Sequence, residues 1–245
     1  HMKKILIFII TYKASYRVER VVNKIPLNFL KKNFNYKIFI SDDCSNDDTS
    51  KYIRKIKNKL KSKVVTNINK KNVGYGSNIK ICLKYAIKNK YDFAIMIHGD
   101  DQYDARKVKQ LVNMQKKENS DVVVGSRMKN KKNARKGGMP FYKYCGNIVL
   151  TGLINYLFKQ NFTDAHSGYW LYNLKVFNKI KLKSITNSFN FDNNLRLELI
   201  LNKFKISEIS IMTKYSDENS YFHLSYSLKF IYENLLFFIK KIKRC

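Results

Sequence analysis

Two hydrophobic periods alternate along the first half of the chain. Short apolar runs rich in Ile, Val and Phe, at Lys4 to Ile10, Tyr36 to Ser41, Val64 to Asn67, Phe93 to Ile97 and Asp121 to Val124, read as strands buried on both faces. Between them apolar residues recur at helical spacing. These stretches are Tyr16 to Leu30 with a break at Pro26, about Asp47 to Leu60, a segment entered through Asn72 to Asn78 and ending near Asn89, and Asp104 to Lys117. Strand then helix, repeated over about 125 residues, predicts a mostly parallel sheet with helices on both faces and ligands at the carboxyl ends of its strands.

The second half departs from this alternation. Gly125-Ser126-Arg127 ends a strand, and Met128 to Gly138 reads as a basic loop. Phe141 to Phe158 has the spacing of a helix, and the polar stretch Asp164 to Gly168 feeds a strand at Tyr169 to Tyr172. Asp192 to Lys203 reads as a helix, Ile206 to Tyr215 as a strand and Leu224 to Ile242 as a long basic, aromatic-rich helix. No internal repeat is evident. The expected organisation is one α/β domain over residues 3–215, with a basic amphipathic helix in residues 216–245. His1 and Met2 are set aside as a cloning remnant.

Composition narrows the classes. The 48 Lys and Arg residues against 18 Asp and Glu give a formal charge of +30, which attracts nucleic acid, anionic membrane surfaces and phosphorylated substrates alike. Lys and Asn are abundant throughout, so much of this charge reads as solvated surface. The four cysteines, Cys44, Cys82, Cys145 and Cys245, show no C-x-x-C spacing, which argues against zinc and a disulfide framework and fits a reduced, cytoplasmic setting. No apolar run is long and uncharged enough to span a bilayer.

Candidate chemistry sits on loops that follow strands. His98-Gly99-Asp100-Asp101-Gln102 follows the Phe93 to Ile97 strand, and Asp42-Asp43 opens a second acidic loop through Thr49. Clustered carboxylates there suit a hard divalent cation holding a diphosphate, although Asp also favours helix N-caps, which is a competing reading for Asp47 and the 100–101 pair. Gly74 and Gly76 precede a helix and serve either a close backbone approach to a ligand or the turn alone. Acidic clusters of this kind repel nucleic acid, which argues against that partner. A nucleotidyltransferase would need a Gly-rich loop after Ile10, and none is present. Trp170 reads as core, His166 as core or ligand, and His223 as a candidate for a late metal or phosphate contact.

The order Thr11-Tyr12, Asp42-Asp43-x-Ser45-x-Asp47-x-Thr49, Asn72-x-Gly74-x-Gly76, Gly99-Asp100-Asp101-Gln102, Gly125-Ser126-Arg127 and Asp164-x-x-Ser167-Gly168-Tyr169 resembles glycosyltransferase family 2. Within that family the likeness is to the dolichol-phosphate mannose synthase and polyprenyl-phosphate glycosyltransferase branch, over roughly residues 4–215. The resemblance implies a GT-A fold, a Rossmann-like three-layer α/β sandwich, and inverting transfer of a sugar from a UDP- or GDP-linked donor assisted by Mg²⁺ or Mn²⁺. It places Thr11, Tyr12, Asp42, Asp43, Gly74, Gly76, Gly99 and Asp101 around the nucleotide, with Asp42 and Asp43 on base and ribose. By the same likeness Asp100 binds the metal, with Gln102 as second ligand and His98 beside them. Arg127 holds an acceptor phosphate, and Asp164 is the candidate base if the acceptor is a sugar hydroxyl. Two departures stand out. His98 replaces the first Asp of the usual Asp-x-Asp, and Ile10-Thr11-Tyr12-Lys13-Ala14 lacks the Glu of the usual Pro-Thr-Tyr-Asn-Glu.

Between Leu224 and Ile242 apolar and aromatic residues interleave with lysines, a mix too charged to span a bilayer but suited to lying in the headgroup layer. The expectation is a peripheral enzyme at the inner face of the membrane, taking a lipid phosphate or a glycan as acceptor; an oligomer is compatible with it. The competing reading of that helix is packing within the protein or in a dimer.

Overall fold

The computed structural model describes residues 2–215 and 224–242. Its centre is a sheet of strands β1 (Lys4–Thr11), β2 (Asn35–Asp42), β3 (Val64–Ile68), β4 (Phe93–His98), β5 (Val122–Ser126), β6 (Trp170–Asn173) and β7 (Ile206–Ser210), in the order β3-β2-β1-β4-β6-β5-β7. All pairings are parallel except the two made by β6. The apolar runs explain this. Ile5, Ile7 and Ile9 of β1 face one core while Leu6, Phe8 and Ile10 face another, which only a strand covered on both sides permits.

Helices α1 (Arg17–Lys24), α2 (Leu27–Asn33), α3 (Thr49–Leu60) and α5 (Val108–Glu118) cover the first core, and α4 (Tyr75–Lys88) and α8 (Phe191–Leu201) cover the second. The break foreseen at Pro26 separates α1 from α2. Asp47, one residue before the N-cap Asp48, accepts from the Thr49 backbone N–H and hydroxyl at the entry to α3, which fits the capping side of the two readings open for it. The loop expected over Met128 to Gly138 instead contains a short helix, α6 (Lys131–Lys136), buried through Ala134 between Met128 and Met139. Its apolar spacing is too sparse to have been read as a helix.

Helix α9 (Leu224–Ile242) contacts both α7 (Phe141–Phe158) and α8. Phe230 is buried and Asn234 fully so, Phe158 meets Phe238 edge-on, and Asn194 donates to Glu233 at 2.9 Å. The described part of the C-terminal helix therefore packs on α7 and α8 rather than on the sheet.

The crossover after β3 carries the chain past β1 to β4, so the sheet's switch point lies between β1 and β4. Thr11 is level with Asp42, and Ile10 with His98, at the carboxyl edge of that point. Because β6 runs antiparallel, the loop at 164–169 enters at the same edge.

Candidate active site

The carboxyl ends of β1 and β4 pass very close together. Gly99 N–H donates to the Ile10 carbonyl, and a Cβ on Gly99 would lie 2.8 Å from the Thr11 Cβ. Gly99 is thus needed for packing between the two strand ends. Thr11 is buried with its hydroxyl unpartnered among the described residues, and Tyr12 beyond it is 49% exposed.

Beyond Gly99 the loop divides. Asp100 accepts from Gln102 N–H at 3.0 Å through Oδ1. Asp101 adopts φ +63° and turns toward α1, where Lys24 donates to both of its oxygens and Arg20 approaches at 3.4 Å. Asp101, expected at the nucleotide, has its carboxylate paired with the cations of α1 in this structure. Gln102 lines the same side as Asp101. Among the described residues no three His, Cys, Asp or Glu side chains converge to cage a metal. Mg²⁺ and Mn²⁺ need no such cage when one or two carboxylates and substrate phosphates supply the oxygens, and Asp100 fits that role.

Asp42 and Asp43, the expected base and ribose contacts, are buried and bonded within the protein. Asp42 accepts from the Ser45 backbone and hydroxyl at 3.0 and 2.6 Å. Burial raises its pKa above the ordinary carboxylate value, a shift those bonds oppose. Asp43 gathers Asn69 Nδ2, Val73 N–H and Gly74 N–H, so it ties the acidic loop to the glycine loop. Gly74 has φ +86°, which favours glycine, and a Cβ on Gly76 would fall 2.7 Å from the backbone carbon of Asn187. Both glycines are accounted for by backbone geometry.

His98 turns to the α4 and α8 side. Its Nε2 lies 3.2 Å from the Tyr75 hydroxyl, which donates to Asp192 Oδ2 at 2.6 Å. Gly168 presses onto this pair, since a Cβ there would sit 2.7 Å from His98 Nε2. Burial pushes the His98 pKa down, favouring the neutral ring. Asp192 Oδ1 has no partner among the described residues, and burial raises the Asp192 carboxyl to about 7 against the opposing effects of Tyr75 and Arg196. Sequence reasoning saw Asp192 only as a helix start. Its place in the site depends on a long-range contact that periodicity does not encode.

Arg127 and Asp164 form a buried pair. Arg127 Nε and Nη2 meet Asp164 Oδ2 and Oδ1 at 2.7 and 2.9 Å, and Nη1 donates to the Tyr215 hydroxyl at 3.1 Å. Asp164 also accepts from Asn147 Nδ2 and from the backbone N–H groups of Arg127 and His166. Burial alone would raise the Asp164 pKa, but Arg127 outweighs it and holds the carboxyl well below the usual range. So acidic and fully bonded a carboxylate is a poor proton acceptor, which counts against the base role expected of Asp164, and its bonds hold Arg127 in place. The His166 pKa is driven to about 4 by burial, and its ring lies tilted against Phe230 of α9 at 4.5 Å between centroids. Trp170 is fully buried, as core. His223 lies outside the described residues.

The glycosyl transferase family 2 model matches residues 6–181. A UDP-N-acetylglucosamine–dolichyl-phosphate N-acetylglucosaminyltransferase from Methanococcus voltae is 27% identical over 232 residues, covering 88% of this chain and 87% of the relative. A poly(ribitol-phosphate) beta-N-acetylglucosaminyltransferase from Staphylococcus aureus is 28% identical over 224 residues, covering 87% of this chain and 62% of that longer protein. The crystal structure of glucosyl-3-phosphoglycerate synthase from Mycobacterium tuberculosis with Mn²⁺, UDP and glucosyl-3-phosphoglycerate aligns at TM-score 0.65 and 12% identity, over 98% of this chain and 80% of that one, which establishes the GT-A fold. The family match runs from the first strand through the sixth and takes in the acidic loop, the glycine loop, the Gly99–Gln102 loop and the Arg127–Asp164 pair, so this chain is a glycosyltransferase and belongs to family 2.

Proposed function

We propose that the chain transfers a sugar from a UDP-linked donor, with Mg²⁺ or Mn²⁺ at Asp100, to a polyprenyl phosphate presented at a membrane surface. The observation that carries the acceptor is the apolar outer surface of α7, whose Asn147 shares Asp164 with Arg127, and of its neighbour α9. Phe141, Ile148, Val149 and Tyr156 of α7 are exposed, the last at 84%, as are Tyr232, Leu235, Leu236, Ile239 and Ile242 of α9. Solvent does not favour such a surface, whereas an anionic bilayer interface attracts it together with the lysines of α6. No helix among the described residues is long and apolar enough to cross a membrane, so the reading is of a surface-bound enzyme at the inner face. The Methanococcus voltae relative, named for a dolichyl-phosphate acceptor and matching nearly end to end, supports it. Both curated relatives described above are N-acetylglucosaminyltransferases, which favours that sugar.

In this reading Asp42 and Asp43 shape the nucleotide cleft by holding its loops, and the exposed Tyr12 offers a ring to the base. A bound divalent ion supplies charge neutralisation for the departing nucleoside diphosphate. Arg127 has five N–H donors and gives three to Asp164 and Tyr215, which leaves two for an acceptor phosphate. A phosphate whose second pKa is about 6 is already an anionic nucleophile, so no base is required. Residues 3–215 serve as the transferase domain and 216–245 as its membrane-associated extension. Because α9 buries Phe230 and Asn234 inside the protein, its outer face is best tested by substitution. Leu235→Glu with Ile239→Glu is expected to abolish flotation on anionic vesicles while leaving circular dichroism unchanged. Undiminished flotation of the double variant removes the membrane from this account.

A hydroxyl acceptor is the second reading, and Asp192 favours it. A carboxyl that titrates near 7 beside the site is suited to accept a proton. If a hydroxyl is the acceptor, Asp192→Asn lowers kcat by about 10²–10⁴ and removes a rise in rate as pH climbs through 7, where the carboxylate forms. For a phosphate acceptor the variant's kcat stays within about tenfold of the parent, since no proton transfer to a side chain is involved. Measuring kcat against pH for both acceptor types separates the two readings.

A further inference from the structure

The segment that follows β7 reaches the site twice within three residues. Thr213 pairs with Tyr103 in an isolated antiparallel bridge, and Lys214 N–H donates to the Gln102 carbonyl at 3.2 Å, so its first contact is with the loop that carries Asp100. Tyr103 carries that contact inward, with its ring edge-on to His98 at 5.1 Å between centroids. Two residues of chain span at most about 7 Å, so Tyr215 is held close to the same loop. Its backbone N–H is fixed by the Gly137 carbonyl at 2.9 Å.

The Tyr215 side chain is set from three directions. Its ring packs against the cluster of Met128, Ala134 and Met139, and Lys143 Nζ stands over the ring at 5.8 Å from the centroid. Its hydroxyl oxygen accepts from Arg127 Nη1 at 3.1 Å. An oxygen that accepts from Arg127 turns its own hydrogen elsewhere, and that O–H has no acceptor among the described residues. Arg127 gives Nε and one N–H of Nη2 to Asp164 and one N–H of Nη1 to Tyr215, which leaves one N–H on each Nη. Three uncommitted donors therefore belong to one hydrogen-bonded pair of side chains. Both residues are only partly buried, so a ligand can reach them. A phosphate monoester presents three strong acceptor oxygens, which matches this set, whereas a single hydroxyl would use one donor and leave two.

We propose that Tyr215 is a binding residue for the acceptor, its hydroxyl donating to a phosphate that the two remaining N–H groups of Arg127 also hold. The inference rests on the reading that the acceptor is a phosphate. The test is calorimetric titration of the full chain, with UDP and Mg²⁺ present to fill the donor side, using geranyl phosphate, geraniol and inorganic phosphate as separate probes. Parent and Tyr215→Phe are compared, because the substitution keeps the ring with its packing and removes only the hydroxyl. The variant is expected to melt like the parent and to bind UDP and geraniol with unchanged affinity. Its affinity for geranyl phosphate is expected to fall about tenfold or more, the effect of one lost hydrogen bond to a charged group. Tyr215-dependent binding that is tighter for geranyl phosphate than for inorganic phosphate assigns the site to a lipid headgroup, and equal affinity for the two assigns it to a soluble phosphate. A parent and variant that bind geranyl phosphate equally, or a variant that loses geraniol to the same extent, overturn the role of Tyr215 and leave the phosphate acceptor standing. A parent that binds neither phosphate probe removes the phosphate acceptor, and the inference with it.

Discussion

Asp100→Ala is expected to abolish measurable transfer while the protein stays folded. Asp100 sits on a loop, where it accepts from Gln102 N–H, two residues on, so truncation removes little packing. Asp101 cannot substitute for it, because that carboxylate is held by Lys24 and turned to the other side by a left-handed backbone. Charge stabilisation of a leaving group through one lost site contributes about 10²–10³ in rate at the least. The check is kcat/KM across a Mn²⁺ series, with thermal melts of both proteins. A variant retaining near-parental turnover and metal dependence would show that the ion is held elsewhere.

The second large effect falls on stability. Arg127→Met leaves Asp164 charged and fully buried without its partner, a situation that costs about 3–5 kcal/mol. Urea unfolding should show this as a lower midpoint at unchanged slope. Adding Asp164→Leu should recover most of the loss, because it removes the stranded charge. The pair also fixes the direction of acid sensitivity. The Asp164 pKa is depressed on folding, so its contribution is fully present above the unfolded carboxylate value of about 3.9 and is lost progressively as pH falls below it. A midpoint for Arg127→Met equal to the parent's would contradict the pairing.

The sheet was legible because its signals are local. Five apolar runs in the first half became β1 to β5, and the Pro26 break appeared where the ring removes a donor. The loops at the strand ends were legible for the same reason, since glycines and carboxylates after an apolar run mark a turn at the carboxyl edge. What each side chain does there was not legible. Asp42, Asp43 and Asp101 read as ligands, yet they hold neighbouring segments through partners as distant in sequence as Lys24 and Gly74. Asp164 read as a base because nothing local reveals that Arg127, 37 residues earlier, takes its charge. Asp192 was missed because its link to His98 passes through Tyr75, 117 residues away. The exposed face of α7 was missed for another reason. An apolar helix with apolar residues on most sides shows no contrast from which periodicity could pick the outer one.

The central claim is transfer to a lipid phosphate, and it is tested by incubating the purified chain with radiolabelled UDP-N-acetylglucosamine, Mn²⁺ and polyprenyl phosphate in anionic vesicles, then partitioning the products between organic and aqueous phases. The account predicts label in the organic phase that requires metal and Asp100 and survives Asp192→Asn. Label that stays in the aqueous phase while a soluble hydroxyl acceptor is glycosylated in an Asp192-dependent manner would contradict it.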